Sequence, residues 1–168
     1  MILPAVICAL VIGLTLIYAS FLDHRDRRVA HRIWKPALII ALPLAAYTYI
    51  FEVQPLGHHI LAACLTCSLL YLLHTFKFFG GADAYALMII TICLPLHPWT
   101  PIGVQVWFPT TVMLNALLLC VAVPVLIFLK KDKLPGTYPV PFMIPITAGF
   151  FTALFYGDIF TGILSLLL

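Results

Sequence analysis

The chain has 168 residues, of which 64% are hydrophobic and only 9% are charged, with a formal net charge of +3 and a mean hydropathy of +1.13. An average soluble domain carries about 25% charged residues, so this composition excludes an ordinary soluble fold and indicates a polytopic membrane protein. Because no segment outside the apolar runs is long enough to form a second core, we expect one membrane domain over residues 1–168.

Six apolar runs are long enough, or nearly so, to cross a hydrocarbon layer of about 30 Å, which takes around 20 helical residues. We therefore predict an all-α protein with about six transmembrane helices. The first run lacks a preceding cation, so we expect a retained helix there rather than a cleaved secretory signal. The predicted helices are 1–22, 35–51, 59–76, 84–96, 108–129 and 142–168.

The positive charges are unevenly distributed among the connections between these runs. All nine Lys and Arg residues lie in or at the edge of the first, third and fifth connections. Because successive membrane helices alternate in direction, these three connections share one face, and the positive-inside rule makes that face cytoplasmic. We therefore predict a multi-pass protein of the cytoplasmic membrane with both termini outside.

Two acidic residues lie at the cytoplasmic ends of predicted helices: Asp23 follows the first run and Asp83 precedes the fourth. A carboxylate at the centre of a membrane helix costs roughly 2.5 to 3.5 kcal/mol, so acids near such helices indicate a function. One out-and-back pair of helices separates the two residues, so they can meet at the same face. Two adjacent carboxyls share a proton, so one can activate water while the other protonates the leaving group. The helix dipole favours Asp83 as the base.

The segment before Asp83 is unusually small in side-chain volume. Gly80, Gly81 and Ala82 allow a substrate backbone to approach closely and pair in extended form, so we take them as candidate substrate-binding residues. The alternative is that the Gly-Gly pair only ends a turn and permits tight helix packing.

The remaining polar features do not predict a cofactor. The five cysteines all lie in apolar runs, and the pair Cys64 and Cys67 has zinc-like spacing without a second pair, so we expect packing roles and no metal. No phosphate-binding loop or nucleic-acid motif occurs in the sequence. The basic connections are expected to lie against anionic membrane lipid.

Two short motifs resemble a known family. Asp23 with Arg27 and the run Arg32-Ile33-Trp34, followed by Phe79-Gly80-Gly81-Ala82-Asp83, is similar to the archaeal preflagellin and prepilin peptidases. These belong to the type IV prepilin peptidase family of GxGD membrane aspartic proteases. The resemblance implies a catalytic Asp23/Asp83 dyad that cleaves the short basic signal peptide of pilin-like or archaellin precursors at the cytoplasmic membrane face. It also implies an archaeal source.

The motifs depart from the family pattern at three positions. Ala82 replaces the second Gly of Gly-x-Gly-Asp, Tyr85 stands where Lys is common, and His31 stands where Asn is usual. These differences bear on substrate preference. The paired-cysteine domain of bacterial relatives has no counterpart, so we expect no methyltransferase activity.

Two alternatives use the same acids. A presenilin-like intramembrane protease would cut within a substrate helix and would have more than six helices. A proton-coupled transporter or assembly scaffold would use Asp23 and Asp83 as relay or packing residues, but it favours a midplane site and paired repeats. We find no internal repeat, and both acids lie at one membrane edge, so the sequence favours the peptidase.

Overall fold

The computed structural model describes residues 3–26, 29–51, 56–76, 80–94, 108–131 and 143–156. These ranges form six α-helices and one short 3-10 turn at His31–Ile33, with no β-strand among them. The predicted all-α polytopic membrane architecture is confirmed. The helices are α1 (Leu3–Asp26), α2 (Trp34–Phe51), α3 (Leu56–Thr75), α4 (Gly81–Cys93), α5 (Phe108–Lys131) and α6 (Met143–Tyr156).

The outer surface of the bundle is apolar, as expected for helices that face lipid. Helices α1 and α2 are long and apolar enough to cross a membrane, and the other four contain shorter apolar stretches. Large hydrophobic side chains are exposed on α1, α2 and α3, for example Leu14, Ile39 and Leu65. A soluble protein rarely exposes apolar side chains over so many neighbouring positions, so these surfaces fit a hydrocarbon environment.

Two helix boundaries differ from the prediction, and both differences place a predicted acid, Asp23 or Asp83, inside a helix. Helix α1 continues through Asp26 instead of ending at residue 22, so Asp23 lies within its last turns. Helix α4 occupies Gly81–Cys93 instead of 84–96, because Leu94 leaves the helical conformation with φ −133° and ψ 69°. Pro95 follows, and the residue before a proline disfavours helix.

Some sequence predictions lie outside the described residues. These are the end of the sixth predicted run, at 157–168, and several of the cations on which the topology depends. The cations are Arg27, Arg28, Lys77 and Lys133.

Helix α4 is the centre of the bundle, because it contacts each of the other five helices. More than half of its residues are buried, among them Ala84, Ala86 and Ile90. Small residues also line the inner face of α2 at intervals of four, where Ala37, Ala41 and Ala45 are buried. Such spacing lets helix backbones approach closely in membranes. The acid at the start of α4 is therefore carried by the most enclosed helix.

Helices α5 and α6 pack with their backbones in close contact at Gly149. A Cβ atom added at Gly149 would lie 2.7 Å from the backbone nitrogen of Ala116 and 2.8 Å from the carbonyl oxygen of Val112. Nearby, the rings of Phe108 and Phe150 meet edge to face with centroids 5.6 Å apart. The absence of a side chain at Gly149 is thus a condition for this packing.

We predict that Gly149→Ala destabilises the protein by about 1–3 kcal/mol, because the added methyl group collides with backbone that cannot move alone. Thermal unfolding in detergent micelles measures the effect. Gly57→Ala is the matched control, since nothing lies within 4 Å of a Cβ at that helical position. Equal melting temperatures for the two variants would contradict the close approach of α5 and α6.

Candidate active site

Several helix ends meet at one end of the bundle. The start of α2 reaches α4 through the rings of Trp34 and Tyr85, whose centroids lie 6.4 Å apart. The start of α6 reaches α1 through Met143, whose carbonyl oxygen accepts a hydrogen bond of 3.1 Å from Ser20. The last turns of α1 and the first turn of α4, which carry the two predicted acids, belong to the same end.

Asp83 folds back over the residue that precedes its helix. Gly80 is the N-cap of α4 and has an extended backbone, with φ −61° and ψ 153°. The Asp83 carboxyl accepts a hydrogen bond from the backbone N–H of Gly80. This is one half of the capping-box arrangement, in which an acidic side chain in the first turn satisfies a donor that the helix leaves free. The Asp83 carboxyl therefore caps the N-terminus of α4, and the same hydrogen bond fixes the position of the carboxyl.

The geometry of this cap favours glycine at position 80. A Cβ atom there would lie 2.8 Å from Oδ2 of Asp83. That distance is shorter than real Cβ contacts, and the carboxylate is fixed by its hydrogen bond. The small size of Gly80 therefore serves the orientation of Asp83, in addition to the substrate access predicted from the sequence.

Asp23 lies close enough to Asp83 for the two charges to interact. Both side chains are partly buried. Because a partly dehydrated site with two interacting carboxyls disfavours the doubly ionised state, one member of the pair can stay protonated while the other is ionised. The structure thus brings the two predicted catalytic residues into one site, from α1 and α4.

The three predicted substrate-binding residues have different surroundings. Gly80 and Gly81 are exposed, so their backbone can be reached from outside the bundle. Ala82 is partly buried and packs against the hydrophobic core. The accessible backbone at this site is therefore that of the two glycines.

His74 also lies at this site, although its position in the sequence does not single it out. It belongs to the last turn of α3, and a Cβ atom added at Gly81 would lie 3.3 Å from its Cε1 atom. Cys120 of α5 is within electrostatic range of Asp83 as well. The sequence signal for His74 is only that it is a polar residue at the predicted cytoplasmic end of a helix. Within the described ranges, no group of three or more His, Cys, Asp or Glu side chains is arranged to hold a metal ion.

A comparison with protein families supports an enzymatic site. The sequence model of the Type IV leader peptidase family matches residues 10–157. The matched range includes Asp23, the glycine pair and Asp83, together with most of α1 and all of the other helices. No individual curated protein matches the chain.

Replacing the two glycines by alanine is expected to have unequal effects on leader-peptide cleavage. We predict that Gly80→Ala lowers the rate about 10- to 100-fold, because the methyl group displaces the Asp83 carboxylate by a fraction of an ångström or more. Gly81→Ala meets the edge of the His74 ring at 3.3 Å, a longer contact than the 2.8 Å at Gly80, and the methyl group does not touch the Asp83 carboxylate, so the loss is smaller. Initial rates on one precursor substrate measure both.

The same pair of variants tests the capping geometry. If Gly81→Ala is the more damaging change while both variants remain folded, Asp83 is not held by Gly80 in the manner described.

Proposed function

Because the chain belongs to the type IV leader peptidase family, we propose that it is a membrane-embedded aspartic endopeptidase that removes the short basic leader of pilin-like or archaellin precursors at the cytoplasmic membrane face. The observation that carries the proposal is the interaction between the Asp23 and Asp83 carboxyls at one end of the helix bundle. Two acids in range of each other are the minimum needed for general acid–base hydrolysis of a peptide bond.

The proposed reaction uses the pair as a unit. One ionised carboxyl accepts a proton from a water molecule, whose oxygen attacks the carbonyl carbon of the scissile peptide bond. The other, protonated carboxyl donates its proton to the leaving nitrogen as the bond breaks. We assign the shared proton to the pair rather than to either residue, and the assignment of Asp83 as the base stays a prediction.

The substrate is proposed to lie in extended form against Gly80 and Gly81. Their exposed backbone offers a surface to which a peptide can come close, because glycine itself carries no side chain. A leader placed just ahead of a hydrophobic helix would put its scissile bond near the membrane edge. The two acids lie at helix ends, which agrees with that depth.

Two further features belong to the same proposal. The enzyme is expected to cleave without methylating the new N-terminus, and the source is expected to be archaeal. The archaeal source is an inference from the resemblance of the motifs alone, whereas the expected lack of methylation also rests on the lack of a counterpart to the paired-cysteine domain.

We predict that Asp23→Asn and Asp83→Asn each reduce cleavage about 10²- to 10⁴-fold, because acid–base catalysis contributes about that much and the amide can neither accept nor donate the required proton. The measurement is co-expression with a precursor carrying a basic leader, followed by N-terminal sequencing of the product.

Asp26→Asn is the matched control for this experiment. Asp26 is an exposed acid three residues after Asp23 and forms an ion pair of 2.9 Å with Arg25. Its loss should leave cleavage nearly unchanged, since exposed ion pairs contribute little. Near-normal turnover by either dyad variant would refute the proposed mechanism. An inserted wild-type protein that leaves several leaders intact would shift the assignment toward a proton-coupled transporter.

We also predict a bell-shaped dependence of the cleavage rate on pH. The rate falls on the acid side because the base becomes protonated, and it falls on the alkaline side because the acid loses its proton. Single-turnover rates for the purified enzyme in detergent, measured across a pH series with a fixed substrate, give the profile. A rate that rises without a maximum would indicate that one ionisable group suffices.

A further inference from the structure

Helices α1 and α6 are joined by a compact set of hydroxyl contacts next to Asp23. The Oγ atom of Ser20 lies 2.6 Å from Oγ1 of Thr147. Thr147 Oγ1 lies 3.2 Å from the carbonyl oxygen of Leu16, to which it can donate, and Ser20 Oγ lies 3.1 Å from the carbonyl oxygen of Met143. We call Ser20 and Thr147 the hydroxyl pair. Each member thus reaches both the hydroxyl and a backbone carbonyl of the opposite helix.

The two hydroxyl protons can satisfy these contacts in two ways. Either Ser20 donates to Thr147 and Thr147 donates to the Leu16 carbonyl, or Thr147 donates to Ser20 and Ser20 donates to the Met143 carbonyl. In both arrangements a chain of two hydrogen bonds crosses from one helix to the other. The connection between α1 and α6 therefore does not depend on which orientation the hydroxyls adopt.

Ser20, the α1 member of the hydroxyl pair, lies on the same stripe of α1 as Asp23. Residues 13, 16, 20 and 23 recur at intervals of three and four, so they share one face of the helix. A Cβ atom added at Gly13 would lie 3.2 Å from the rings of Phe150 and Phe151, which shows that the stripe faces α6 at Gly13. Asp23 lies about 80° around the helix from Gly13, so its side chain can point toward α4 while Ser20 contacts α6. Ser20 is thus the position on that stripe immediately before Asp23.

Other threonine hydroxyls in the bundle have a different arrangement. Thr15, Thr48 and Thr91 each donate to a carbonyl four residues earlier in their own helix, at 2.8, 3.0 and 2.8 Å. Such bonds join no neighbouring helices. The bonds of the hydroxyl pair span 123 to 131 residues of sequence.

We propose that Ser20 and Thr147 are positioning residues for peptide cleavage, because they fix the rotation of the end of α1 so that Asp23 faces Asp83. The inference rests on the proposed function of the two acids. A rotation of α1 by about 20° would move a carboxyl lying about 6 Å from the helix axis by about 2 Å. A misplacement of about 1 Å can lower a catalysed rate about 100-fold, so a hydrogen-bonded contact at this point controls activity.

The test compares side chains of nearly equal volume. Thr147→Val keeps the shape and removes the hydroxyl, and it should lower kcat about 10-fold or more while KM stays within about two-fold. Thr147→Ser retains the hydroxyl and should restore kcat. Thr15→Val is the matched control on α1, since it removes a hydroxyl that bonds only within its own helix, and it should leave kcat unchanged. If Thr147→Val does not fold, Ser20→Ala is the second variant that removes one hydroxyl of the pair.

The outcomes separate this inference from the proposed function. If Asp23→Asn is inactive and Thr147→Val or Ser20→Ala retains wild-type kcat, the positioning role is wrong and the peptidase assignment stands. If Asp23→Asn retains activity, the proposed function itself is wrong. A loss in Thr15→Val equal to that in Thr147→Val, or a failure of Thr147→Ser to restore kcat, would also overturn the positioning role.

Discussion

The placement of two carboxyl groups at one end of an apolar bundle is the constraint on which the rest of this structure depends. Carboxylates near hydrocarbon are unfavourable unless other groups satisfy them, and two adjacent ones add repulsion. The chain meets this constraint by placing both acids in terminal turns, Asp23 in the last turns of α1 and Asp83 in the first turn of α4. There Asp83 has access to a backbone donor that the helix leaves free, and both partly exposed acids can reach water, which hydrolysis of a peptide bond also requires.

At the start of α4, the Asp83 carboxyl caps the helix and is also one of the two candidate catalytic groups. A helix enclosed by five others has N–H donors at its first turn that need partners, and the side chain of Asp83 satisfies one of them by bonding to Gly80. The same bond restricts where the carboxylate can lie. Orientation of the acid is thereby built into the helix start and needs no separate side chain to hold it. This accounts for a side-chain-free residue at position 80.

The sequence predicts the coarse features well because they follow from composition and periodicity. The all-α polytopic membrane architecture, with six helices among the described residues, and the family are confirmed. The interaction between Asp23 and Asp83 follows from one out-and-back helix pair. The helix ends were less predictable, since hydropathy does not detect a cap such as that of Gly80 and Asp83. The hydroxyl pair was not predictable, because Ser20 and Thr147 are 127 residues apart and their contact depends on how α6 packs on α1. His74 was missed because its position next to Gly81 depends on how the end of α3 packs on the start of α4.

The two sides of the candidate site differ in how firmly they are held. On the side of Asp23, α1 is bonded to α6 through the hydroxyl pair, and α6 in turn packs on α5 with backbone contact at Gly149. On the side of His74, α3 packs chiefly on α4, and Leu70 is its only residue in the buried core among those the structure describes. Helices with few buried contacts open at lower free energy than well-packed ones. The acids are therefore carried by the more rigid part of the bundle, whereas the His74 side has fewer buried contacts and can adjust more readily, as the proposed binding of an extended substrate would require.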